Sequence, residues 1–377
     1  MKYYLIAGEA SGDLHGSKLM QGLKTSDPEA EFRYFGGDLM AAEGGTLVRH
    51  YRQTAVMGLF KVIFNLRKIS GNMRFCKKDI EAYQPDALIL IDYSGFNLRI
   101  AKFARPAGFR VIYYISPKVW VWDRKRVYTI RENVDRMYVI LPFEVDFYLQ
   151  YNYPVEYVGN PIVDAVEEGR AHDAGRTEFC SRNGLDDSPI IALLAGSRKE
   201  EIKHCLPEML TVINQFPGYR FVIAGAPAIS PEYYARFTGE SDVDIVFDQT
   251  YDLLMNAVAA VVTSGTATLE TALFGVPEVV IYKMGELTYQ IGRHFVKPKY
   301  FSLVNLILDR EVVKELLQYR LRKKIGDELH RILEDETYRM VMLDNYRKLR
   351  SRLGEPGAYH RLAGSIVTFI GQEKQSG

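Results

Sequence analysis

Short apolar runs alternate with helix-length amphipathic segments along most of this chain, a pattern that predicts an α/β protein built on parallel sheets. In the first half the runs fall at residues 3–7, 33–35, 87–91, 110–115, 136–141 and 156–158. Ala87-Leu88-Ile89-Leu90-Ile91 has no polar break, as expected of a strand covered by helices on both faces, where alternation is not required. Around Gly159-Asn160-Pro161 the rhythm stops, and a polar stretch through Glu167, Glu168, Asp173 and Gly175 precedes the next buried run at 190–194. The theme repeats at 220–224, 244–247, 259–263 and 278–282, and beyond about residue 320 the chain is charged and helical. We therefore expect two successive doubly wound domains, at residues 1–165 and 166–340, with a helical tail at 341–377. Two such domains leave a cleft, and open sheets of this kind bind ligands beyond the carboxyl ends of their strands. Chemistry is expected in loops just after strands.

Composition narrows the class. A length of 377 residues exceeds one ordinary hydrophobic core, which agrees with two domains. No apolar run approaches the roughly 18–20 residues that span a bilayer. The opening Tyr3-Tyr4-Leu5-Ile6-Ala7 reads as a strand rather than a secretory leader, so a cytoplasmic location is expected. Cys76, Cys180 and Cys205 are widely spaced and form neither a disulfide framework nor a zinc motif. A formal net charge of +1 argues against a dedicated nucleic-acid binder.

Four loops carry candidate chemistry. Gly8-Glu9-Ala10-Ser11-Gly12-Asp13 follows the first strand and opens a helix, whose free N–H groups and dipole suit a ligand. It is not a dinucleotide fingerprint, and the same residues serve as a capped turn with Asp13 or Ser11 as N-cap. Asp92, just beyond the run 87–91, is placed to take a proton from a substrate hydroxyl, or to cap the next helix. Gly196-Ser197-Arg198 follows the strand at 190–194, where Arg198 and neighbouring N–H groups suit a diphosphate. Ser264-Gly265-Thr266 precedes a helix that carries Glu270 about one turn in. There a carboxylate can accept both hydroxyls of a ribose while the helix start faces phosphate.

Two stretches combine apolar and basic residues. Residues 56–69 include Met57, Leu59, Phe60, Val62, Ile63, Phe64 and Leu66 among Lys61, Arg67 and Lys68. They read as a headgroup-plane helix or as a buried crossover helix with a basic edge. Trp120-Val121-Trp122-Asp123-Arg124-Lys125-Arg126 suits a membrane interface or a phosphorylated substrate. With no HExxH, DxD or carboxylate cluster, no metal site is expected, and no Ser sits in a GxSxG elbow.

Together these motifs resemble the lipid-A-disaccharide synthases. The resemblance includes Ala7-Gly8-Glu9-Ala10-Ser11-Gly12-Asp13, Ala55-Val56-Met57-Gly58, Ile91-Asp92, Tyr114-Ile115-Ser116-Pro117 and Leu141-Pro142-Phe143-Glu144. It continues through Gly196-Ser197-Arg198, Ser264-Gly265-Thr266-Ala267 with Glu270, and Ser302-Leu303 with Asn305-Leu306. It implies a GT-B fold: two Rossmann-like doubly wound domains facing a cleft, with C-terminal helices packing back on the first. It also implies an inverting, metal-independent transfer with no cofactor, joining UDP-2,3-diacylglucosamine to 2,3-diacylglucosamine 1-phosphate with release of UDP. By position Asp92 matches the general base, Arg198 an essential arginine near the diphosphate, and Glu270 the ribose carboxylate. Glu9, Ser11 and Asn305 match other residues implicated in activity, with Gly196, Ser197, Ser264, Gly265 and Thr266 in the UDP-sugar loops. Peripheral association with the cytosolic leaflet of the inner membrane is implied, and a homodimer is among the assemblies relatives form. The chain departs from the family pattern at Ser94-Gly95 (commonly Pro-Asp), Asn160 (His), Ala195 (Pro) and Val304 (Pro). Rival readings on the same fold are a hydrolysing UDP-N-acetylglucosamine epimerase and a peptidoglycan-type transferase. A non-catalytic nucleotide-sugar-binding protein is the rival from another class, and it would have no use for Asp92.

Overall fold

The computed structural model describes residues 1–54, 66–122, 124–239, 241, 243–286, 289–290 and 299–376. They form two compact units, Met1–Pro161 with Glu355–Gly377, and Ile162–Gly354. Most of the basic amphipathic stretch at 56–69, including Leu59, Phe60, Lys61 and Ile63, lies outside the described residues, as does Ala55-Val56-Met57-Gly58.

The first unit is built on β1 (Lys2–Ala7), β2 (Glu31–Gly36), β3 (Thr46–His50), β4 (Ala87–Ile91), β5 (Val111–Tyr114), β6 (Arg136–Val139) and β7 (Glu156–Tyr157). They form one parallel sheet in the order β3-β2-β1-β4-β5-β6-β7. Because side chains alternate across a strand, each run supplies both faces. Tyr4, Ile6, Leu88, Leu90, Val111, Tyr113, Met137 and Val139 join one core. Tyr3, Leu5, Ala7, Ala87, Ile89, Ile91, Ile112, Tyr114 and Tyr138 join the other. Two-sided burial is why the runs lack polar breaks.

The second core is closed by the last helix, Ala358–Ser376, through Leu362, Ala363, Ile366 and Ile370. Leu362, Ile366 and Ile370 are fully buried, each contributing about 1.5–3 kcal/mol. This helix lies against Ala10–Ser26 at Gly22, where an added Cβ would sit 2.9 Å from the Tyr359 carbonyl oxygen. Arg361 Nε donates to Val158 O at 2.9 Å, and Tyr138 and Ser365 share a hydroxyl hydrogen bond of 2.9 Å. The preceding helix, Glu336–Leu353, stays with the second unit, burying Met342, Tyr346, Leu349 and Leu353 there. The return to the first unit therefore comes at residue 355, later than the expected 341.

The second unit repeats the design with β8 (Ile190–Leu194), β9 (Arg220–Gly225), β10 (Asp244–Phe247), β11 (Ala257–Thr263), β12 (Glu278–Tyr282) and β13 (Lys314–Leu317). Its parallel order is β10-β9-β8-β11-β12-β13. The doubly wound fold class expected from sequence is present in both units. The hydrophobic pattern missed β3 and β13, and both are edge strands. An edge strand has one neighbour and less cover: Thr-Leu-Val-Arg-His of β3 has no fully buried residue, and β13 buries Leu316 alone.

Candidate active site

In each sheet the strand order reverses once, between β1 and β4 in the first unit and between β8 and β11 in the second. At such a point the connections leave in opposite directions and open a crevice at the carboxyl ends. The four loops singled out in the sequence follow these four strands. Each unit thus brings two of them side by side, with Ala7 paired to Ile91 and Leu194 to Val262 in the sheets.

In the first unit, Asp92 follows β4 with a left-handed backbone, φ +45°, and so does Tyr93, φ +45°. Ile115, at the end of β5, has φ +67°. Left-handed backbone is costly for non-glycine residues, above all β-branched ones, and persists where the surroundings over-determine it. The restraints are visible. Asn97, fully buried, donates from Nδ2 to the carbonyls of Ile6 (3.3 Å), Ile91 (3.2 Å) and Asp92 (2.9 Å), clamping the ends of β1 and β4. Tyr113 OH donates to Asp92 O at 2.5 Å, and Asp92 N–H donates to Tyr114 O at 3.0 Å. Gly8 leaves room for the Tyr93 ring, which a Cβ there would meet at 2.3 Å. Burial, reinforced by the charge of Glu9, pushes the Asp92 carboxyl above the usual carboxylate range, with Lys118 and the Tyr93 N–H opposing. A strained, half-buried carboxylate with a raised pKa suits a general base.

Within the first loop the roles separate. Glu9, not Ser11 or Asp13, is the N-cap residue of Ala10–Ser26, and its side chain makes no capping bond. Ser11 is exposed in the first turn. Asp13 is buried and accepts N–H groups from Gly37 (2.7 Å), Leu39 (3.0 Å) and Met40 (3.1 Å). Its capping reading is thus corrected: it ties down the chain some 25 residues on, a contact no local pattern shows.

In the second unit, Gly196 has φ +107°, and a Cβ there would lie 2.6 Å from Glu201 Oε2. That oxygen accepts the N–H groups of Ser197 (2.9 Å) and Arg198 (3.2 Å). Glu201 Oε1 accepts Arg198 Nη1 at 2.9 Å. The Arg198 side chain is 68% exposed, so this ion pair is weak and the guanidinium is available to a ligand. Beyond β11, Ser264 Oγ donates to Phe301 O at 2.8 Å, tying its loop to the one before Ser302. Gly265 caps the helix Thr266–Phe274 without a side-chain bond, and Gly265 and Thr266 are exposed. Glu270 Oε1 accepts Tyr251 OH at 2.7 Å, and burial raises its carboxyl above the ordinary range against that bond.

Asn305 lies elsewhere in this architecture. It is fully buried, its Oδ1 accepting the N–H groups of Val312 (2.7 Å) and Val313 (3.0 Å). Its Nδ2 donates to Val313 O (2.9 Å) and Glu315 Oε1 (2.9 Å). These four bonds use the whole side-chain amide, which leaves it no group for the UDP-sugar contact expected from the resemblance. Glu315 of the overlooked β13 also accepts the N–H groups of Phe301 and Ser302, both at 2.8 Å. Among the departures, Asn160 donates to Ile140 O at 2.8 Å, while Ala195 and Val304 are buried. Among the described residues no group of three or more His, Cys, Asp or Glu is placed to hold a metal ion, and no helix is long and apolar enough to cross a membrane.

The model of the lipid-A-disaccharide synthetase family matches residues 3–359. The chain belongs to this family. It is 38% identical over 376 residues to the lipid-A-disaccharide synthase of Trichlorobacter lovleyi, covering 98% of this chain and 97% of that one. The same-named protein of Myxococcus xanthus is 38% identical over 374 residues, covering 97% of each. Membership makes it a glycosyltransferase of lipid A biosynthesis. Among solved structures, a UDP co-structure of S. aureus MnaA aligns with TM-score 0.66 at 12% identity, over 98% of this chain and 97% of that one. UDP-GlcNAc 2-epimerase from Neisseria meningitidis, bound to UDP-GlcNAc, aligns with TM-score 0.65 at 12% identity, over 99% and 100%. At that identity the likeness shows the fold, and the fold is GT-B.

Proposed function

We propose that this glycosyltransferase joins UDP-2,3-diacylglucosamine to 2,3-diacylglucosamine 1-phosphate, with inversion and without a metal, at the cytosolic face of the inner membrane. The first unit takes the acceptor and the second the UDP-sugar. Asp92 removes the proton from the acceptor's 6-hydroxyl as that oxygen bonds to the donor's anomeric carbon. The anomeric carbon–oxygen bond to UDP breaks, and its electron pair leaves with the diphosphate. Arg198, the Ser197 and Arg198 N–H groups and the start of the helix Thr266–Phe274 offset that charge. Glu270 receives the ribose hydroxyls on the oxygen that Tyr251 leaves open. Glu9 raises the basicity of Asp92, and Ser11 faces the same crevice end from the first helical turn.

The observation that carries this reading is Asp92: a carboxylate on strained backbone at the switch point, made more basic by its surroundings. A nucleotide-sugar-binding protein needs no such group. Purified protein supplied with both lipid-sugars should release UDP and form a β-1,6 disaccharide. UDP release without acceptor, or interconversion of UDP-N-acetylglucosamine alone, would instead indicate epimerase chemistry.

A further inference from the structure

Beyond Asp92, along the same carboxyl edge, lies a side-chain cluster that the proposed chemistry does not use. Lys118 and Trp120 follow β5, and Leu141 through Glu144 follow β6; β5 pairs with both β4 and β6. Glu144, in the helix Phe143–Leu149, is buried, and its Oε1 accepts Trp120 Nε1 at 3.3 Å. Its Oε2 accepts Leu141 N–H at 3.2 Å, with the buried Ser116 beside the carboxyl. Ser116 Oγ in turn shares a 2.7 Å bond with Tyr148 OH. Phe143 meets the Trp120 ring edge-on, with centroids 5.1 Å apart and planes at 88°. Trp120 is only half-buried and belongs to neither core of this unit.

We infer that Trp120 is the platform on which the acceptor's sugar ring stacks, and that Glu144 is the positioning residue that fixes it. The inference deepens the acceptor assignment above and rests on it. Burying a carboxyl is expensive, and packing alone would be met better by an apolar residue. What this carboxyl does is hold an indole N–H, so that one ring keeps one orientation while part of it stays open. Strand order ties the cluster to Asp92: β5, which Lys118 and Trp120 follow, lies between β4 and β6 in the sheet, and the charge of Lys118 favours the ionised form of both carboxyls. The C–H face of a pyranose is apolar, and a pre-oriented aromatic ring supplies contact area with little entropy to lose.

The test uses the chain's having two tryptophans. In a Trp122→Phe background, Trp120 alone reports by fluorescence. Emission should change on adding 2,3-diacylglucosamine 1-phosphate in detergent micelles, and should not change with empty micelles. Trp120→Ala should raise the acceptor KM roughly 2- to 12-fold while the donor KM stays within about twofold. Glu144→Ala should reproduce that split, the double variant should be no worse than either single one, and Glu144→Gln, which keeps an acceptor for the indole, should restore it. Burial also pushes the Glu144 carboxyl up to about 7, against the Leu141 N–H, Trp120, Ser116 and Lys118, with Tyr148 beside it. Trp120 emission should therefore titrate near neutral pH, and Glu144→Gln should abolish that titration. Emission indifferent to acceptor while the same sample turns over would overturn the platform and leave the proposed reaction standing. A shift on adding substrate-free phosphatidylglycerol vesicles would reassign the ring to membrane contact. Absence of UDP release under any condition would sink the reaction itself. Should Glu144→Ala fail to fold, Trp120→Ala and the titration decide the matter.

Discussion

Replacing Glu270 by glutamine separates the charge of this carboxylate from its packing. Tyr251 OH donates to Oε1 at 2.7 Å, and Oε2 has no hydrogen-bond partner among the described residues. If ribose hydroxyls donate to Glu270, they bond a charged acceptor, a contact contributing about 1.5–3 kcal/mol against about 0.5–1.5 for a neutral one. Glutamine keeps an oxygen for Tyr251, so the fold is preserved and the expected loss is about 1–1.5 kcal/mol, roughly 5- to 13-fold in the Kd for UDP. Alanine removes both contacts and should cost roughly 13- to 160-fold. It also removes the carboxylate's bond from the Tyr251 hydroxyl, so its Tm should fall while that of the glutamine variant holds. The pH dependence supplies a second arm. Burial raises the Glu270 carboxyl, and ribose bonds favour its ionised form, so UDP affinity should weaken as pH falls through the raised pKa. In the glutamine variant that dependence should vanish. Titration calorimetry with UDP between pH 4.5 and 8, on the order of the window a raised carboxylate spans, measures all of this. Unchanged affinity in both variants, with a lowered Tm for alanine only, would refute the ribose contact and leave Glu270 as a partner for Tyr251.

Asp92→Asn should lower kcat by roughly 10²- to 10⁴-fold with UDP affinity nearly intact; turnover within a few-fold of wild type would remove it from the base role. Because a base must be unprotonated, kcat/KM should rise with pH through the Asp92 pKa. Glu9→Gln removes a charge that raises that pKa and should move the acid limb to lower pH, whereas Lys118→Met should move it higher. Glu278 is fully buried at the start of β12 with neither carboxyl oxygen hydrogen-bonded, and its pKa is raised well above 4.5. Stability should thus be greatest below about pH 4.5 for this group and decline as pH rises toward the folded pKa. Glu278→Leu should flatten that decline and raise stability near neutral pH by on the order of 1–3 kcal/mol, read by thermal unfolding. EDTA should leave the rate unchanged; inhibition reversed by a divalent cation would contradict the metal-free route.

The doubly wound architecture and the loops at its two switch points were legible in the pattern of apolar runs. Runs such as 87–91 are unbroken because parallel strands bury both faces, and a doubly wound sheet must present its loops at the carboxyl ends. Asp92 and Arg198 were therefore legible as candidates just beyond strands, Glu270 as a candidate one turn inside the helix that follows β11, and the ordered motifs were legible as a family. What each side chain does there was decided only in three dimensions. Asp13 spends its carboxylate on Gly37, Leu39 and Met40, and Asn305 spends its amide on Val312, Val313 and Glu315. Burial turned Glu144 from one charge in a short helix into the holder of an indole. The edge strands β3 and β13 were invisible for a related reason: a strand with one neighbour need not be apolar, so its assignment comes from the ladder it joins. Periodicity records which residues leave water. Hydrogen-bond partners distant in sequence, and the strain they hold at Asp92, Tyr93 and Ile115, exist only once the strands are side by side.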